Sequence, residues 1–440
     1  MTKDVYDVAI IGSGIGGLSA AARLARNGYK VLVLERFRHL GGRCSTVNLN
    51  GYLVSTGAIA IERGGPLEQT FIDVGAAFPV KRPDPQMAYY LNGQTHVTPP
   101  KGGLRWLLHH VAQDERDAER VMAVIKRAMT WEEPSMSISF KDWLSQYTTD
   151  PNIHGVLQGA IVTTQVINAW ETPAGAFVQF MKNGGYRDFG LCEGGNITMI
   201  ENLADVVRKN GCAIWTNATA ERIMVNRWTA TGVLVDRPDG EVEVGARVVI
   251  SSAGPKKTVE LAGRENFERG YLMDVDHKIR PAPVVALFVV SDRPLIEHPG
   301  AFLPVNTRRV YLMVQATLTC PELAPKGMHY LEAFSAFADS IGPVNLKEEI
   351  ELNIQDVRDI VGEAFDKHGR ILAAECFYGD WPAGHTWPGY DVGQKTSIEG
   401  LYNVGDGVKI PGWSSGTPAA AQTARVVVED IVNRYRPGAH

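Results

Sequence analysis

Glycines at positions 12, 14 and 17 occur at the spacing G-x-G-x-x-G, the pattern in this chain with the clearest chemical meaning. Gly12 permits a tight turn, Gly14 lets a pyrophosphate approach the backbone, and Gly17 allows a helix to pack closely on a strand. The N–H groups at the start of such a helix, near Ile15 and Gly16, are free to bind phosphate oxygens. This spacing therefore predicts a dinucleotide site.

Two strands and a helix must position this turn. Residues 5–11 form a short apolar run that predicts a buried strand, and residues 17–27 carry leucine and alanine at helical spacing. A second buried strand is predicted at residues 31–34. Glu35 follows that strand, where a carboxylate can accept the ribose hydroxyls, and Arg36 is assigned to the same site.

Two kinds of pattern alternate along the rest of the chain. Residues 66–190 are dominated by helical patterns rich in aromatic residues, and an α/β pattern returns at residues 196–251. Further elements are predicted as strands at 282–291, 309–317, 328–335 and 401–404, and as a long amphipathic helix at 346–368.

These patterns predict an α/β fold with interleaved domains. A Rossmann-like dinucleotide domain would be assembled from residues 1–65, 192–280 and 395–440. Residues 66–191 and 281–394 would form an inserted α+β substrate domain.

Composition excludes several classes of protein. The 440 residues are 45% hydrophobic and 21% charged, and the net charge of −5 offers no general attraction to nucleic acid. The best apolar stretch, residues 281–290, is far too short to span a membrane, so membrane contact is expected to be peripheral at most. Five scattered cysteines predict no metal site and favour a reduced, cytoplasmic location. The chain runs directly into its first strand, so no secretory signal is expected.

Two further segments resemble signatures of the flavin amine oxidase and carotenoid desaturase superfamily. Gly42 and Arg43 belong to a Leu-Gly-Gly-Arg segment just after Glu35, and Gly405-Asp406 ends the last predicted strand. The resemblance implies that Gly-Asp holds the ribityl–phosphate portion of FAD. The positive end of the final helix, which is expected to have Thr417 as its N-cap, would stabilise negative charge arriving with a hydride.

The resemblance implies the interleaved architecture of p-hydroxybenzoate hydroxylase and the amine oxidases, with the backbone near Ala220 facing the adenine. The residues assigned to FAD are Gly12, Gly14, Ile15, Gly16, Gly17, Glu35, Arg36, Gly42, Arg43, Ala58, Ala220, Gly405, Asp406, Trp413, Ser415 and Thr417.

Several departures from the family pattern bear on the chemistry. Ser55-Thr56-Gly57 stands where desaturases usually carry Asp-Thr-Gly. Ser414 and Ser415 stand where a cysteine would be needed for a thioether-linked flavin, so non-covalent FAD is predicted. The chain holds one dinucleotide fingerprint. We therefore predict that electrons pass to a separate acceptor, which is oxygen, a quinone or another molecule.

The segment of residues 381–390 is the strongest candidate for contact with substrate, because it precedes the last strand of the dinucleotide domain. His385 is a candidate base, since histidine titrates near neutral pH, and Tyr390 and Trp413 are weaker catalytic candidates. The alternative for His385 is a loop histidine packed between tryptophans. Residues 104–110 would line a tunnel or touch lipid, or belong to the ordinary core.

Four functions are compatible with these patterns. The leading hypothesis is an FAD-dependent dehydrogenase or oxidase, resembling the phytoene-desaturase-like branch, that takes a hydride from an apolar or alicyclic small molecule. The alternatives are a flavin amine oxidase, a flavin-dependent isomerase, and a lipid-binding chaperone resembling the Rab escort and dissociation-inhibitor proteins. The substrate, the electron acceptor and the oligomeric state are not specified by the sequence.

Overall fold

A computed structural model of the chain describes residues 5–101, 103–185, 188–408 and 416–438. Its strands are β1 (Val5–Ile11), β2 (Val31–Leu34), β3 (Thr46–Leu49), β4 (Tyr52–Ser55), β5 (Ile61–Glu62), β6 (Val80–Lys81), β7 (Met87–Leu91), β8 (Gln94–Val97), β9 (Phe189–Cys192), β10 (Ala213–Trp215), β11 (Thr219–Asn226), β12 (Thr229–Asp236), β13 (Val242–Ser251), β14 (Val284–Ser291), β15 (Ala301–Pro304), β16 (Val310–Val314), β17 (His329–Ala336), β18 (Arg370–Phe377) and β19 (Leu401–Asn403).

The helices are α1 (Ile15–Arg26), α2 (Pro66–Val74), α3 (Gly103–Val111), α4 (Glu115–Thr130), α5 (Phe140–Ser145), α6 (Pro151–Gln165), α7 (Ala174–Lys182), α8 (Asn196–Lys209), α9 (Pro255–Ala262), α10 (Arg269–Lys278), α11 (Leu346–Val361), α12 (Glu363–His368) and α13 (Thr417–Arg434). Short 3₁₀ turns lie at Arg264–Asn266, Ala316–Leu318 and Pro321–Leu323. None of the helices in the described ranges has the length and apolar character needed to cross a membrane.

The first large sheet contains the dinucleotide fold. Its strand order is β10-β2-β1-β13-β12-β11, and β19 pairs with the second half of the long strand β13. β1, β2, β10, β13 and β19 are parallel, whereas β11 and β12 form an antiparallel extension. The parallel strands are covered by other elements on both faces, which explains why β1 and β2 read as nearly continuous apolar runs. The carboxyl ends of β1, β2, β13 and β19 meet at one edge of this sheet.

Helices α1, α8 and α13 pack in one core beneath this sheet, and α2 joins them. Leu67 and Phe71 of α2 are fully buried there, in the same cluster as Leu18 of α1. α2 therefore shares the core of the dinucleotide domain, whereas the boundary drawn from the sequence at residue 66 assigned it to the substrate domain.

The second large sheet has the order β18-β14-β17-β16-β15-β7-β8. Its pairs are antiparallel except for β15 and β7, which are parallel. One face packs against a core that includes Val357 of α11, and the other face packs against helices α3 to α7. All eight residues of β14 are buried because both faces of that strand are covered.

The structure departs from the sequence prediction in several elements, among them strands β15 and β18, which the sequence did not predict. Residues 66–190 contain strands β6 to β9 as well as helices, and β7 and β8 complete the second sheet. The single helix predicted at residues 346–368 is two helices, because Gly362 adopts φ +69° and ends α11. α13 begins at Thr417, with Gly416 as its N-cap, one residue before the predicted start at Pro418.

Candidate active site

The predicted glycine turn joins β1 to α1, and its geometry requires small residues. Gly12 has φ +92°, a conformation that other residues rarely adopt. A Cβ atom at residue 17 would overlap the carbonyl oxygen of Gly12, and one at residue 16 would lie 3.0 Å from the nitrogen of Gly405. The start of α1 can therefore approach both the turn and the loop after β19, leaving its N-terminal N–H groups at the cavity described below.

Glu35 lies directly after β2 and is 4% exposed. Its Oε2 atom accepts hydrogen bonds from the Ser13 backbone N–H at 3.0 Å and the Ser13 hydroxyl at 2.5 Å. Its Oε1 atom accepts from the Phe37 N–H at 2.9 Å. These bonds fix the carboxylate beside the glycine turn, the position at which a dinucleotide requires an acceptor for its ribose hydroxyls.

A cavity of about 940 Å³ extends from the glycine turn to the face of the second sheet. Most of the predicted site residues lie in its wall: Gly12, Gly14, Ile15, Gly16, Glu35, Arg36, Gly42, Arg43, Ala58, Ala220, His385, Gly405, Asp406 and Thr417. Gly17 lies behind the turn, against Gly12. Trp413 and Ser415 fall outside the described residues. The structure thus brings together segments as far apart in the chain as Gly12 and Thr417.

Arg43, His385 and Asp406 form a hydrogen-bonded cluster in this wall. The Arg43 guanidinium donates to both carboxylate oxygens of Asp406, at 2.8 and 3.1 Å. It also donates to the carbonyl oxygens of Pro382 and Ala383, at 3.0 and 2.7 Å. The backbone N–H of His385 donates to Asp406 Oδ2 at 3.1 Å. The cluster therefore ties the segment before His385 to the loops after β2 and β19.

Asp406 is ionised in this cluster. Burial alone would raise the pKa of Asp406, but the charge of Arg43 and the hydrogen bonds from Arg43 and His385 outweigh burial and hold this pKa well below its ordinary value. The Nδ1 atom of His385 lies 2.7 Å from Asp406 Oδ1 and 2.8 Å from Arg43 Nη2. Nδ1 can donate to Asp406 in one tautomer and accept from Arg43 in the other, so Nδ1 has a partner in either neutral tautomer of the ring.

The loop after β13 and the end of β19 are fixed by a buried hydrogen-bond network. Asn403 accepts a hydrogen bond from the Thr258 hydroxyl at 2.6 Å and donates to the Tyr271 hydroxyl at 2.9 Å. Thr423 of α13 accepts from the Gly405 N–H at 2.9 Å. These bonds hold Gly405 and its neighbour Asp406 against the rest of the dinucleotide domain.

The two described catalytic candidates have different surroundings. His385 lies in the cavity wall, but its ring packs against the loop after β13, where a Cβ at Gly254 would lie 2.7 Å from the imidazole Cδ2. Tyr390 is not among the described residues of the cavity wall. Its ring contacts Trp387 edge to face and lies 3.9 Å from the Arg280 guanidinium, so it packs in the loop instead.

The end of the cavity away from the glycine turn is largely apolar. Helices α3, α4, α6 and α7 and strands β7, β15, β16, β17 and β18 contribute its wall: Met87, Tyr89, Leu104, Leu107, Met129, Leu157, Ala160, Thr163, Thr164, Phe177, Phe180, Met181, Ala301, Leu303, Leu312, Phe334 and Phe377. Leu104 and Leu107 lie in the wall, whereas Leu107 and Leu108 also belong to the hydrophobic core, so the tunnel and core alternatives for segment 104–110 each apply in part.

A buried carboxyl group lies on the same face of the second sheet. Glu332 is 2% exposed and accepts hydrogen bonds from the Ser55 hydroxyl at 2.6 Å and the Tyr330 hydroxyl at 2.7 Å. Burial raises the pKa of Glu332 to about 8, although both hydrogen bonds act in the opposite direction. Burial also raises the pKa of Glu375, on β18. Glu332 is therefore largely protonated at neutral pH.

Comparison with known proteins identifies the family. The profile of the flavin-containing amine oxidoreductases matches residues 15–432, nearly the whole chain. The chain belongs to this family. The shared region begins within the glycine turn and includes Glu35, the Arg43 cluster and Gly405-Asp406, so most of the cavity wall described above lies within it.

The chain is also similar to individual proteins from several organisms. An inactive all-trans-retinol 13,14-reductase of Danio rerio is 26% identical over an aligned length of 294 residues, and the match covers 57% of this chain and 48% of that protein. A phytoene desaturase of Cercospora nicotianae is 44% identical over 68 residues, covering 16% and 11% of the two chains. The chain thus spans about half or less of these relatives. An oxidoreductase from Methanosarcina mazei superposes with a TM-score of 0.85 at 25% identity, covering 96% of this chain and 99% of that one.

These matches confirm the predicted α/β fold, the predicted relation to amine oxidases and carotenoid desaturases, and the prediction of an enzyme. The family is one of flavin-containing oxidoreductases. The alternative of a non-enzymatic chaperone is set aside.

The residues of this family member fit FAD. A Cβ at Gly14 would contact only the Ser252 hydroxyl, at 3.7 Å, so the glycine leaves space on the cavity side. Gly16 lies close to Gly405, so the start of α1 and the loop after β19 are in contact. The first N–H groups of α1 have no side-chain cap, and Glu35 provides a hydrogen-bond acceptor. The described residues contain no group of three or more side chains suited to a metal ion.

Several residues of the wall were not found by sequence reasoning. Ser13 holds Glu35, and Tyr89, Thr163 and Phe334 face the cavity from the second domain. A serine within a glycine turn is a signal that was available in the sequence. The residues of the second domain carry no such signal, because their positions depend on how the second sheet pairs.

Proposed function

We propose that this flavin oxidoreductase binds FAD non-covalently and oxidises an apolar or alicyclic small molecule by hydride transfer to flavin N5. The observation that carries this proposal is the continuity of the cavity. One continuous space joins two regions. The first is the dinucleotide cradle, which is the wall formed by the glycine turn, Glu35 and Gly405-Asp406. The second is an apolar chamber between the second sheet and helices α3 to α7. A substrate in the chamber can therefore reach a cofactor held by the cradle.

Bound FAD would supply a ring that accepts a hydride. The protein's part is to bind, orient and exclude water. Gly12, Gly14 and Glu35 would hold the dinucleotide, and Arg43, anchored by Asp406, would fix the segment around Ala383 beside the ring. The apolar chamber would keep water away from the C–H bond that reacts.

His385 is proposed as a positioning residue rather than a base. Its ring contacts the loop at Gly254 and the carboxylate of Asp406, both in the dinucleotide domain. It therefore orients Asp406 and Arg43 from the cofactor side of the cavity. A substrate that loses both a hydride and a proton would need another acceptor for the proton.

Non-covalent binding is supported by the chemistry of the wall. Cys44 is the cysteine in the described wall, and burial raises the pKa of its thiol, which keeps it from acting as a thiolate nucleophile. Ser414 and Ser415 stand at the position that a thioether-linked flavin would require. Electrons would leave to a separate acceptor, such as oxygen or a quinone.

The names of the relatives support an apolar substrate. A retinol reductase and a phytoene desaturase are named for isoprenoid molecules, and both match this chain in part. An amine oxidase is the second candidate, because the rings of Phe177, Phe180, Phe334 and Phe377 in the wall provide faces that attract an ammonium group. Isomerisation without net oxidation is the third.

The visible spectrum of the purified protein, followed by anaerobic bleaching, tests the proposal. A flavin band that bleaches with alicyclic or isoprenoid compounds supports it, and the denatured protein should release the flavin. Bleaching by amines alone makes the amine oxidase the better assignment. Conversion of an isoprenoid to an isomer without bleaching favours the isomerase. A protein that neither carries nor takes up FAD overturns the proposal.

A further inference from the structure

Trp381 brings a segment of the substrate domain into contact with the dinucleotide cradle. A Cβ atom at Gly42 would lie 3.9 Å from the indole Cη2 atom of Trp381 and 4.0 Å from the Cα atom of Gly14. Gly14 is the residue at which a bound pyrophosphate approaches the backbone. The indole therefore lies beside the position that the phosphates of a dinucleotide would occupy.

Two residues of the dinucleotide domain complete this contact. The Phe37 ring meets the Trp381 indole edge to face, with 5.7 Å between the ring centroids. The Arg36 guanidinium lies 4.6 Å from the centroid of Phe37 and 5.4 Å from that of Trp381, within the range of cation–π attraction. All three residues line the cavity. We refer to Trp381, Phe37 and Arg36 together as the clasp.

The backbone of its own segment holds the indole in place. The Trp381 N–H donates to the Tyr378 carbonyl oxygen at 3.2 Å. Arg43 donates to the carbonyl oxygens of the next two residues, Pro382 and Ala383, at 3.0 and 2.7 Å. These bonds fix the turn that carries the indole, so the ring is positioned before any ligand binds.

The chemistry of the clasp matches a flat ligand that carries phosphate. Arg36 is exposed, and its guanidinium makes no ion pair within the described part of the chain. An indole offers a ligand apolar contact, and a guanidinium beside it can bind phosphate oxygens. Glu35, directly before Arg36, provides the acceptor for ribose hydroxyls. FAD has the phosphates, the ribose and the flat rings that these groups require.

We propose that the clasp binds FAD by covering its pyrophosphate, and that Trp381 is the clasp residue that most limits dissociation of the cofactor. The inference rests on the FAD binding of the proposed function. It assigns to the cofactor a residue of the segment 381–390, which the sequence assigned to the substrate. Dissociation is the affected step, because the contacts of the clasp form after the glycine turn has bound the dinucleotide and must break before it leaves.

The rate at which FAD leaves the loaded protein tests this inference. The loaded protein is transferred to flavin-free buffer, and the released flavin is measured over time in the filtrate of a membrane that retains protein. Trp381→Leu should raise the dissociation rate constant about tenfold, because it removes an aromatic contact and a cation–π partner. Trp381→Phe keeps a ring and should stay within about threefold of the wild type. Arg36→Met, at an exposed position, should raise the rate about threefold.

Trp170→Leu is the matched control. Trp170 is 40% exposed and its ring centroid lies 5.5 Å from the Lys141 ammonium, the same kind of cation–π contact, but Trp170 is not among the described residues of the cavity wall. This variant should release FAD at the wild-type rate. The association rate constant of the flavin-free protein, followed by the change in FAD fluorescence, should be the same in all the variants.

Two results would overturn the inference. The first is release of FAD at the wild-type rate by both Trp381→Leu and Arg36→Met, and Arg36→Met decides alone where Trp381→Leu does not fold. The second is a Trp381→Leu variant that slows association as much as it speeds dissociation, since that pattern indicates a damaged cradle. The proposed function fails separately: a protein that takes up no FAD contradicts both proposals, whereas unchanged release from a protein whose flavin bleaches with substrate contradicts this inference alone.

Discussion

Glu332 makes the stability of the protein depend on pH in a defined direction. The folded protein holds this carboxyl group with a pKa raised to about 8, whereas an unfolded chain returns it to the ordinary value of 4.5. Between these values the folded state binds one proton more than the unfolded state. The contribution of Glu332 to the free energy of unfolding must therefore fall as the pH rises from 4.5 to 8, and it is fully present only below 4.5.

The magnitude follows from the size of the shift. Each pKa unit corresponds to about 1.4 kcal/mol, so the loss across this window is about 5 kcal/mol. With an unfolding entropy of about 2 cal/mol/K per residue, a chain of 440 residues loses about 5 °C in its melting temperature. Glu332→Gln keeps the shape of the side chain and an acceptor oxygen for Ser55 or Tyr330, but it cannot ionise.

Calorimetric melting temperatures of the wild type and Glu332→Gln, measured from pH 4.5 to 8.5, check the argument. The variant should gain about 5 °C relative to the wild type as the pH rises, since it lacks the ionising group. Glu241→Gln, at an exposed position, should track the wild type throughout. A difference between wild type and Glu332→Gln that stays constant across this range would mean that Glu332 is ionised in the folded protein, and the reasoning would be refuted.

Three further substitutions test the cofactor side of the cavity. Gly17→Ala places a Cβ against the carbonyl oxygen of Gly12 and should abolish FAD retention, measured as the ratio of flavin to protein absorbance after gel filtration. Asp406→Asn leaves the Arg43 guanidinium without its carboxylate and should lower the free energy of unfolding in urea by about 3 kcal/mol. Asn403→Ala removes the partner of the Tyr271 hydroxyl and one of the partners of the Thr258 hydroxyl, leaves a buried gap and should cost about 3 kcal/mol in the same assay, with weaker FAD binding measured by fluorescence titration.

The outcomes that contradict these expectations are specific. Normal flavin content in Gly17→Ala would mean that α1 does not pack on the turn as described. Wild-type stability of Asp406→Asn would show that Arg43 finds an equivalent partner. Unchanged flavin affinity in Asn403→Ala would restrict that network to a purely structural role.

The dinucleotide half of the site was predictable because its requirements are local. The turn between β1 and α1 needs Gly12 for its positive φ and Gly17 for close packing, and both demands appear in the residue types themselves. Glu35 follows its strand directly, so one short stretch of sequence specifies turn, helix and acid. The pairing of Arg43 with Asp406, by contrast, was predicted only as two separate cofactor contacts, 363 positions apart.

The substrate half of the site was not predictable, because the sequence alone does not show which of its residues are brought together by tertiary contacts. In the sequence, Glu332 is one polar residue within an apolar strand. Only its hydrogen bond with Ser55, which lies 277 positions away in the chain, shows that it is buried. The alternation of β7 places Tyr89 and Tyr90 on opposite faces, yet the sequence does not say which face meets the cavity. β7 itself was missed because residues 66–190 are mainly helical in pattern and the partner of β7, β15, lies more than 200 positions later.

The pairing order of the first sheet has a consequence for biosynthesis. β1 leaves the ribosome first, but its neighbour β13 follows only after residue 241, and β13 receives β19 only after residue 400. Until then the βαβ unit at the start of the chain exposes the edge of β1, the edge of β2 that β10 pairs with only after residue 212, and the apolar side of α1 that α13 later covers. Contacts this distant in sequence form slowly, and unpaired edges invite aggregation during translation. A flavin that binds only the completed sheet would stabilise the folded state and so favour the last folding step. The supply of flavin during expression should therefore determine the yield of intact protein.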